Sequence, residues 1–227
     1  MIIIVCSNLD ENAKLLKAKW ANNNAVLLSV NDLTSPGWQI SASNFNESIF
    51  VAEEQVWPVS AVKGIVNLLP QVAPYELFKI VEDDRKYVAS EMNAFLFYFF
   101  SKMKCPFLNE PSMFNLSGPF IKQEEWIMQC IMAKLPVHKK LENVNGLHKP
   151  LEPNTDISIC YSRGKVSSKQ NIGYENEIRK LAANTGLSHF VAYFKQEQGQ
   201  YFFQTISTYP NVDDDKELDE IMKHFQN

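Results

Sequence analysis

The chain has 227 residues, 45% of them hydrophobic and 21% charged, with a formal net charge of −4; this is the make-up of a folded globular protein and excludes a disordered one. The negative balance supplies no basic face for nucleic acid, and the longest apolar run, Ala94 to Phe100, falls far short of the roughly 20 residues needed to span a bilayer. Neither a nucleic-acid partner nor a membrane is therefore expected.

Residues 2–6 form a short continuous β-branched run, the pattern of a buried parallel strand. Asn8 or Asp10 can cap a helix over about 10–22, in which Ala13, Leu16 and Trp20 recur at helical spacing. Ala25 to Val30 reads as a second strand, so the unit favours a parallel, right-handed crossover. Trp38–Ser41 and Ser48–Val51 read as a short hairpin around Asn44-Phe45-Asn46, and Gly64–Leu68 as another strand. A long helix is expected over about 74–103; its aromatics Phe95, Phe97, Tyr98, Phe99 and Phe100 are read as core, not as a cofactor site. Cys105–Asn109 reads as a strand re-entering the sheet, and the proline-punctuated stretch from Glu110-Pro111 to Gly118-Pro119 as an ordered loop and domain boundary.

A helix at about 121–134 leads to Leu135-Pro136-Val137, and 138–156 is polar and rich in turn residues, a linker or a shortened insertion. Asp156–Tyr161 with Lys165-Val166 makes a hairpin, and a helix at 174–186 ends on Gly186. Two strands, Leu187–Phe194 and Gly199–Pro210, precede a last amphipathic helix at 214–226, whose Asp213-Asp214-Asp215 start suits the positive end of a helix dipole.

Few of these residues form a recognisable reactive set. The four cysteines (Cys6, Cys105, Cys130, Cys160) lack the paired spacing of a zinc or redox motif and read as buried free thiols. The opening is too short for a secretory signal, so a reducing cytoplasm is expected. His138, His148, His189 and His224 fall in four different elements, and His189 reads as a surface or hydrogen-bonded side chain. Cys6, Ser7 and Asn67 sit at strand ends where α/β folds form ligand crevices, although a nucleophile at Cys6 would need a base and a lowered pKa. The glycines are dispersed, with no GxGxxG or Walker loop.

Taken in order, several stretches resemble the ATP-grasp superfamily, in the branch of the ribosomal-protein S6 modification ligases and peptide-maturation ligases. They are Gly64-Ile65-Val66-Asn67-Leu68-Leu69-Pro70, Glu91–Leu96 through Cys105–Pro111 and Leu116–Pro119, the turn Ala133–Val137, and Ile178–Leu187 with the strand pair after it. The resemblance implies an α/β chain: a mostly parallel pre-ATP-grasp-like domain over 1–118, then a reduced α+β ATP-grasp-like domain over 119–227. It also implies that magnesium ligands, an acid followed by a Glu and an Asn, would fall on Tyr193, Thr205 and Ser207. None is a carboxylate, and magnesium beside a triphosphate needs charged oxygen ligands. Leu68 stands where the family often has Arg, and Lys149 is a candidate remnant of its phosphate-binding lysines, although the reading favoured for a lone lysine beside a proline is a solvated loop. Between Val137 and Asp156 there is room for a loop but not for a nucleotide-covering lobe.

The expectation is a catalytically inactive homologue that needs no cofactor and acts by binding a protein: an active ligase, its peptide substrate, or a second copy of itself. One alternative is an ATP- and magnesium-dependent carboxylate–amine ligase with metal contacts from Glu197, Asp213 or elsewhere. Another is a small-molecule module built on the crevice at Cys6, Ser7 and Asn67.

Overall fold

The computed structural model describes residues 1–137, 155–170 and 172–226. The architecture is α/β and falls into two compact units, one of Met1–Pro119 with Ile221–Asn227 and one of Phe120–Glu220. Among the described residues, no helix is long and apolar enough to cross a membrane.

In the first unit the chain runs β1 (Ile2–Cys6), α1 (Glu11–Lys19), β2 (Ala25–Ser29), the short α2 (Val30–Leu33), β3 (Ile49–Ala52), β4 (Gln55–Pro58), β5 (Gly64–Asn67) and α3 (Arg85–Lys102). Strands β1, β2 and β5 are parallel in the order β2-β1-β5. Every residue of β1 is buried, as its unbroken apolar run requires of a central parallel strand. Asp10 caps α1 by accepting a 3.0 Å hydrogen bond from the Ala13 amide. Asn8 is used elsewhere, accepting from the Asn31 amide at 2.7 Å.

Three elements differ from the sequence reading. The hairpin is β3 and β4, joined through Glu53-Glu54, which take φ of 51° and 61°; this left-handed two-residue turn is normally signalled by Asn or Gly. The expected pair around Asn44–Asn46 is reduced to one bridge, Gln39 to Ile49. The long helix begins at Arg85 and not near residue 74, because Pro74–Glu76 and Glu82–Asp84 form separate 3-10 turns. Phe107 pairs with Ile65 through a single parallel bridge, so 105–109 contributes a contact to the sheet and not a full strand.

Of the five aromatics expected in the core, Phe95, Phe99 and Phe100 of α3 lie there. Phe99 lies within 5.5 Å, centroid to centroid, of both Trp38 and Phe45, and Phe100 packs edge-on against Phe107 at 5.7 Å. The stripe is not continuous, since Phe97 and Tyr98 are exposed. Asn93, inside the same helix, reaches out to Val72 and bonds both its amide (2.8 Å) and its carbonyl (3.0 Å), tying down the loop before the helix.

The second unit contains α4 (Gln123–Ala133), β6 (Ile157–Ser162), β7 (Lys165–Ser168), α5 (Glu175–Thr185), β8 (His189–Glu197), β9 (Gln200–Ser207) and the start of α6 (Asp215–Gln226). Its antiparallel sheet has the order β7-β6-β8-β9. Trp126, Cys130 and Ala133 of α4 and Ile178, Leu181 and Ala182 of α5 cover one face, against Ile157, Ile159, Phe190, Ala192, Phe194 and Phe203. Gly186 ends α5 with φ of 70° and donates to Ala182 O at 2.9 Å, the expected C-cap. After α4, Pro136 accepts from the Phe203 amide at 2.8 Å, and Val137 runs parallel to β9.

Gly64 in β5 is fixed by contact. A Cβ there would stand 2.2 Å from Cδ1 and 2.6 Å from Cγ of the buried Phe225 ring in the same unit. Gly64→Ala is therefore expected to destabilise the protein by about 1–3 kcal/mol, the usual range for overpacking, measured as a lowered midpoint in denaturant unfolding. An unchanged midpoint would show that the ring is not held against β5.

Candidate functional site

The sheet of the second unit has one face on helices α4 and α5 and one turned away from these two. Directly opposed residues of antiparallel strands project to the same side. Tyr193 is paired with Thr205 and Ser158, Val191 with Ser207 and Cys160, and His189 with Ser162. Tyr193, Thr205 and Ser207 are thus brought onto one face, opposite the Phe190-Ala192-Phe194 core. A β-bulge makes this possible. The register shifts between Tyr193 and Phe194, so that Thr205 opposes the first and Phe203 the second, leaving Gln204 as the extra residue.

All three side chains are neutral. Burial pushes the Tyr193 phenol up, with Glu217 and Cys160 adding to the shift, so it carries no charge at neutral pH. The Ser207 hydroxyl is occupied in a local turn, accepting from the Tyr209 amide at 3.2 Å and donating to its carbonyl at 3.3 Å. Glu197 pairs with Gln200 at the hairpin end, four residues beyond Tyr193. That is roughly 13 Å along the strand, and its neighbour there is Lys195 at 3.8 Å. Asp213 is exposed in the turn before α6, its amide bonded to Asn211 Oδ1 at 3.0 Å.

A carboxylate does reach this face from α6. Asp214 caps the helix, accepting from the amides of Lys216 and Glu217, both at 3.2 Å. This sets Glu217 over the sheet, where its Oε1 accepts from the Asn211 amide at 2.8 Å and lies 3.3 Å from His189 Nε2. Cys160, His189 and Glu217 are all buried, and their sulfur, nitrogen and oxygen atoms lie within 4.8 Å of one another. Burial drives the Cys160 thiol strongly upward, and Glu217 adds to it. His189 is fully buried beside Glu217, which excludes the surface position considered from the sequence. The grouping was not visible in sequence spacing because its members come from β6, β8 and α6. The only sequence hint was that His189 sits out of phase with the apolar Phe190, Ala192 and Phe194.

In the first unit, Cys6, Ser7 and Asn67 lie at the carboxyl ends of β1 and β5, and each is engaged structurally. Burial, followed by Asp10, Asp32, Glu76 and Glu53, pushes the Cys6 thiol up to about 12, the opposite of an activated nucleophile. Ser7 Oγ donates to the buried Glu76 carboxylate, which also accepts from the Asn8 amide at 3.2 Å. Asn67 donates to Leu116 O at 2.7 Å and accepts from the Leu69 amide at 2.9 Å. Lys149 lies outside the described residues.

No family model and no curated protein sequence matches the chain. Solved structures do. The ATP-grasp ligase PsnB, complexed with a minimal precursor, Mg and ADP, superposes over 100% of this chain and 98% of its own, with TM-score 0.66 and 11% identity. The macrocyclase MdnC of Microcystis aeruginosa MRC, bound with precursor peptide MdnA, covers 100% and 99%, with TM-score 0.68 and 9% identity. A Chryseobacterium gregarium RiPP-associated ATP-grasp ligase, in complex with ADP and a leader and core peptide, covers 99% and 93%, with TM-score 0.59 and 9% identity. The fold is the ATP-grasp fold. At such identities the likeness establishes architecture and leaves activity to be argued from the residues.

Thiol chemistry checks the electrostatics of both units. Burial holds the Cys105 thiol near 11 and those of Cys6 and Cys130 near 12. At pH 8 the folded protein should therefore react slowly with a thiol reagent, Cys105 first as the one free cysteine not fully buried, and unfolding should release all four. Because the folded values lie above the ordinary 9.0, the thiols' contribution to stability is complete below pH 9.0 and is lost as pH rises toward about 12. Rapid labelling of Cys6 in the folded state would contradict this description of β1.

Proposed function

We propose that this ATP-grasp-fold protein performs no ligation and works by binding another protein, either an active ATP-grasp ligase or the peptide such a ligase modifies. One observation carries the proposal: the three strand positions that would hold magnesium, Tyr193, Thr205 and Ser207, share one sheet face and none carries negative charge. Neutral hydroxyls can supply oxygen lone pairs but cannot balance a divalent ion beside a triphosphate. The chain length between Val137 and Asp156, too short for a nucleotide-covering lobe, points the same way.

Binding has support of its own. Helix α4 buries Trp126, Cys130 and Ala133, yet on its other side leaves Met128 (59% exposed), Ile131 (52%) and Met132 (61%) in solvent. Apolar residues three and four apart on an exposed helix face make a stripe suited to a protein partner, and methionine adapts to varied surfaces. PsnB, MdnC and the Chryseobacterium gregarium ligase are each described in complex with precursor or leader peptides. That history makes a peptide or its ligase the first partner to try, with a second copy of the chain as the other. The small-molecule reading loses ground because Ser7 and Asn67 are consumed by hydrogen bonds within their own unit. The ligase reading retains only the shared fold.

Calorimetry with Mg-ATP should give no binding heat. Micromolar binding abolished by Thr205→Ala or Ser207→Ala would overturn the inactive reading. Size-exclusion chromatography with light scattering, run alone and with an intact ATP-grasp ligase or its precursor peptide, should reveal a complex or a homodimer that Met128→Glu/Met132→Glu dissolves. A monomer that binds neither would remove the partner role.

A further inference from the structure

Three chemically different metal-binding groups meet on the second unit's sheet, on the same face as Tyr193, Thr205 and Ser207. Cys160 lies in β6 and His189 in β8, on one face and offset by two residues along the strands, since Cys160 opposes Val191 and Ser162 opposes His189. Glu217 descends on them from the first turn of α6, held there by the Asp214 cap and the Asn211 amide. All three are buried, with 8%, 0% and 3% exposure respectively.

We propose that Cys160, His189 and Glu217 form a binding site for a transition-metal dication of the zinc type. The proposal stands apart from the question of ligation, because none of the three belongs to the positions Tyr193, Thr205 and Ser207. Three physical arguments carry it. The first is donor chemistry: a thiolate, an imidazole and a carboxylate are the ligands of zinc and its neighbours and are unsuited to magnesium, which takes oxygen.

The second is geometry. Metal–ligand bonds of about 2.0–2.3 Å set tetrahedral ligand atoms about 3.3–3.7 Å apart. His189 Nε2 and Glu217 Oε1 are already 3.3 Å apart, and no pair in the set exceeds 4.8 Å. Closing on an ion therefore needs side-chain movements of about an ångström at most, and no change in the strand register.

The third is charge. A thiolate and a carboxylate together carry two negative charges into a buried place, where unpaired charge is costly. A dication with a neutral imidazole makes the whole site neutral. On binding, the Cys160 S–H proton passes to solvent as the S–metal bond forms. Three protein ligands leave a fourth position for water or a further group, so the site is of the open kind. Because Glu217 belongs to α6 and the other two to the sheet, the ion would also fasten the start of that helix to β6 and β8.

The test uses the whole chain. Protein equilibrated with zinc chloride and desalted is assayed for bound zinc by elemental analysis, and cobalt(II) is added to metal-free protein while its absorption spectrum is recorded. The expected result is a single equivalent of zinc, a cobalt spectrum with a thiolate charge-transfer band and tetrahedral ligand-field bands, and a raised Tm with either metal. Cys160→Ser should remove the charge-transfer band, and Glu217→Gln should weaken zinc on the order of tenfold or more. If Cys160→Ser fails to fold, His189→Gln and Glu217→Gln serve in its place, each checked by circular dichroism. Folded wild-type protein that retains no zinc and gives no cobalt band overturns the proposal, leaving a buried His189–Glu217 pair. Zinc retention undiminished in the folded variants overturns it equally, since the ion would then lie elsewhere.

Discussion

The second unit depends on an odd spacing in β9. Phe203 and Ile206 both pack into the helix-covered core, yet they are three residues apart, and a straight strand puts positions of odd separation on opposite faces. Without an extra residue, one of the two would have to leave the core. The bulge at Gln204 resolves the conflict by resetting the alternation between Phe203 and Thr205. Its consequence lies on the far face, because the residues left over from the core, Thr205 and Ser207, then join Tyr193 and Val191 there. A single unpaired residue thus decides both what fills the core and what the opposite surface presents.

Much of this layout was legible in the sequence because it rests on alternation and end signals. The buried run of β1, the Asp10 cap, Gly186 as the stop of α5 and the acidic start of α6 all follow from local chemistry. What escaped prediction depended on residues acting against type or at a distance. Glu53 and Glu54 adopt left-handed backbone conformations that nothing in their side chains advertises. The helix expected from residue 74 starts at Arg85 because two 3-10 turns intervene, one opened by Pro74 and one by the acidic Glu82–Asp84. The Cys160–His189–Glu217 group is a product of topology: antiparallel pairing sets β6 beside β8, and the Asp214 cap aims the first turn of α6 at them.

The polar residues at the carboxyl ends of the first sheet tell a related story. That edge is where ligands commonly bind in open α/β sheets, and the sequence places Cys6, Ser7 and Asn67 there. Their hydrogen-bonding capacity is nevertheless directed inward. Glu76 collects the Ser7 hydroxyl and the Asn8 amide, Asn8 passes the connection to the Asn31 amide, and Asn67 holds the loops at Leu69 and Leu116. A buried carboxylate left alone would cost several kcal/mol, so Glu76 makes sense as the acceptor that organises these loops. Ser7 and Asn67 thus hold neighbouring loops of the chain.

Glu76 and Glu217 follow the same logic in the two units. Each is a buried acid satisfied first by a backbone amide and then by one side chain, Ser7 in one case and His189 in the other. The difference lies in the third neighbour. Around Glu76 the nearby thiol, Cys6, is kept protonated by its burial and then by four acidic groups. Around Glu217 the thiol of Cys160 and the imidazole of His189 converge with the carboxylate on one small volume, and a cation there would satisfy all three at once. The carboxylate comes from a helix and the other two donors from neighbouring strands, so the grouping depends on how α6 is capped over the sheet.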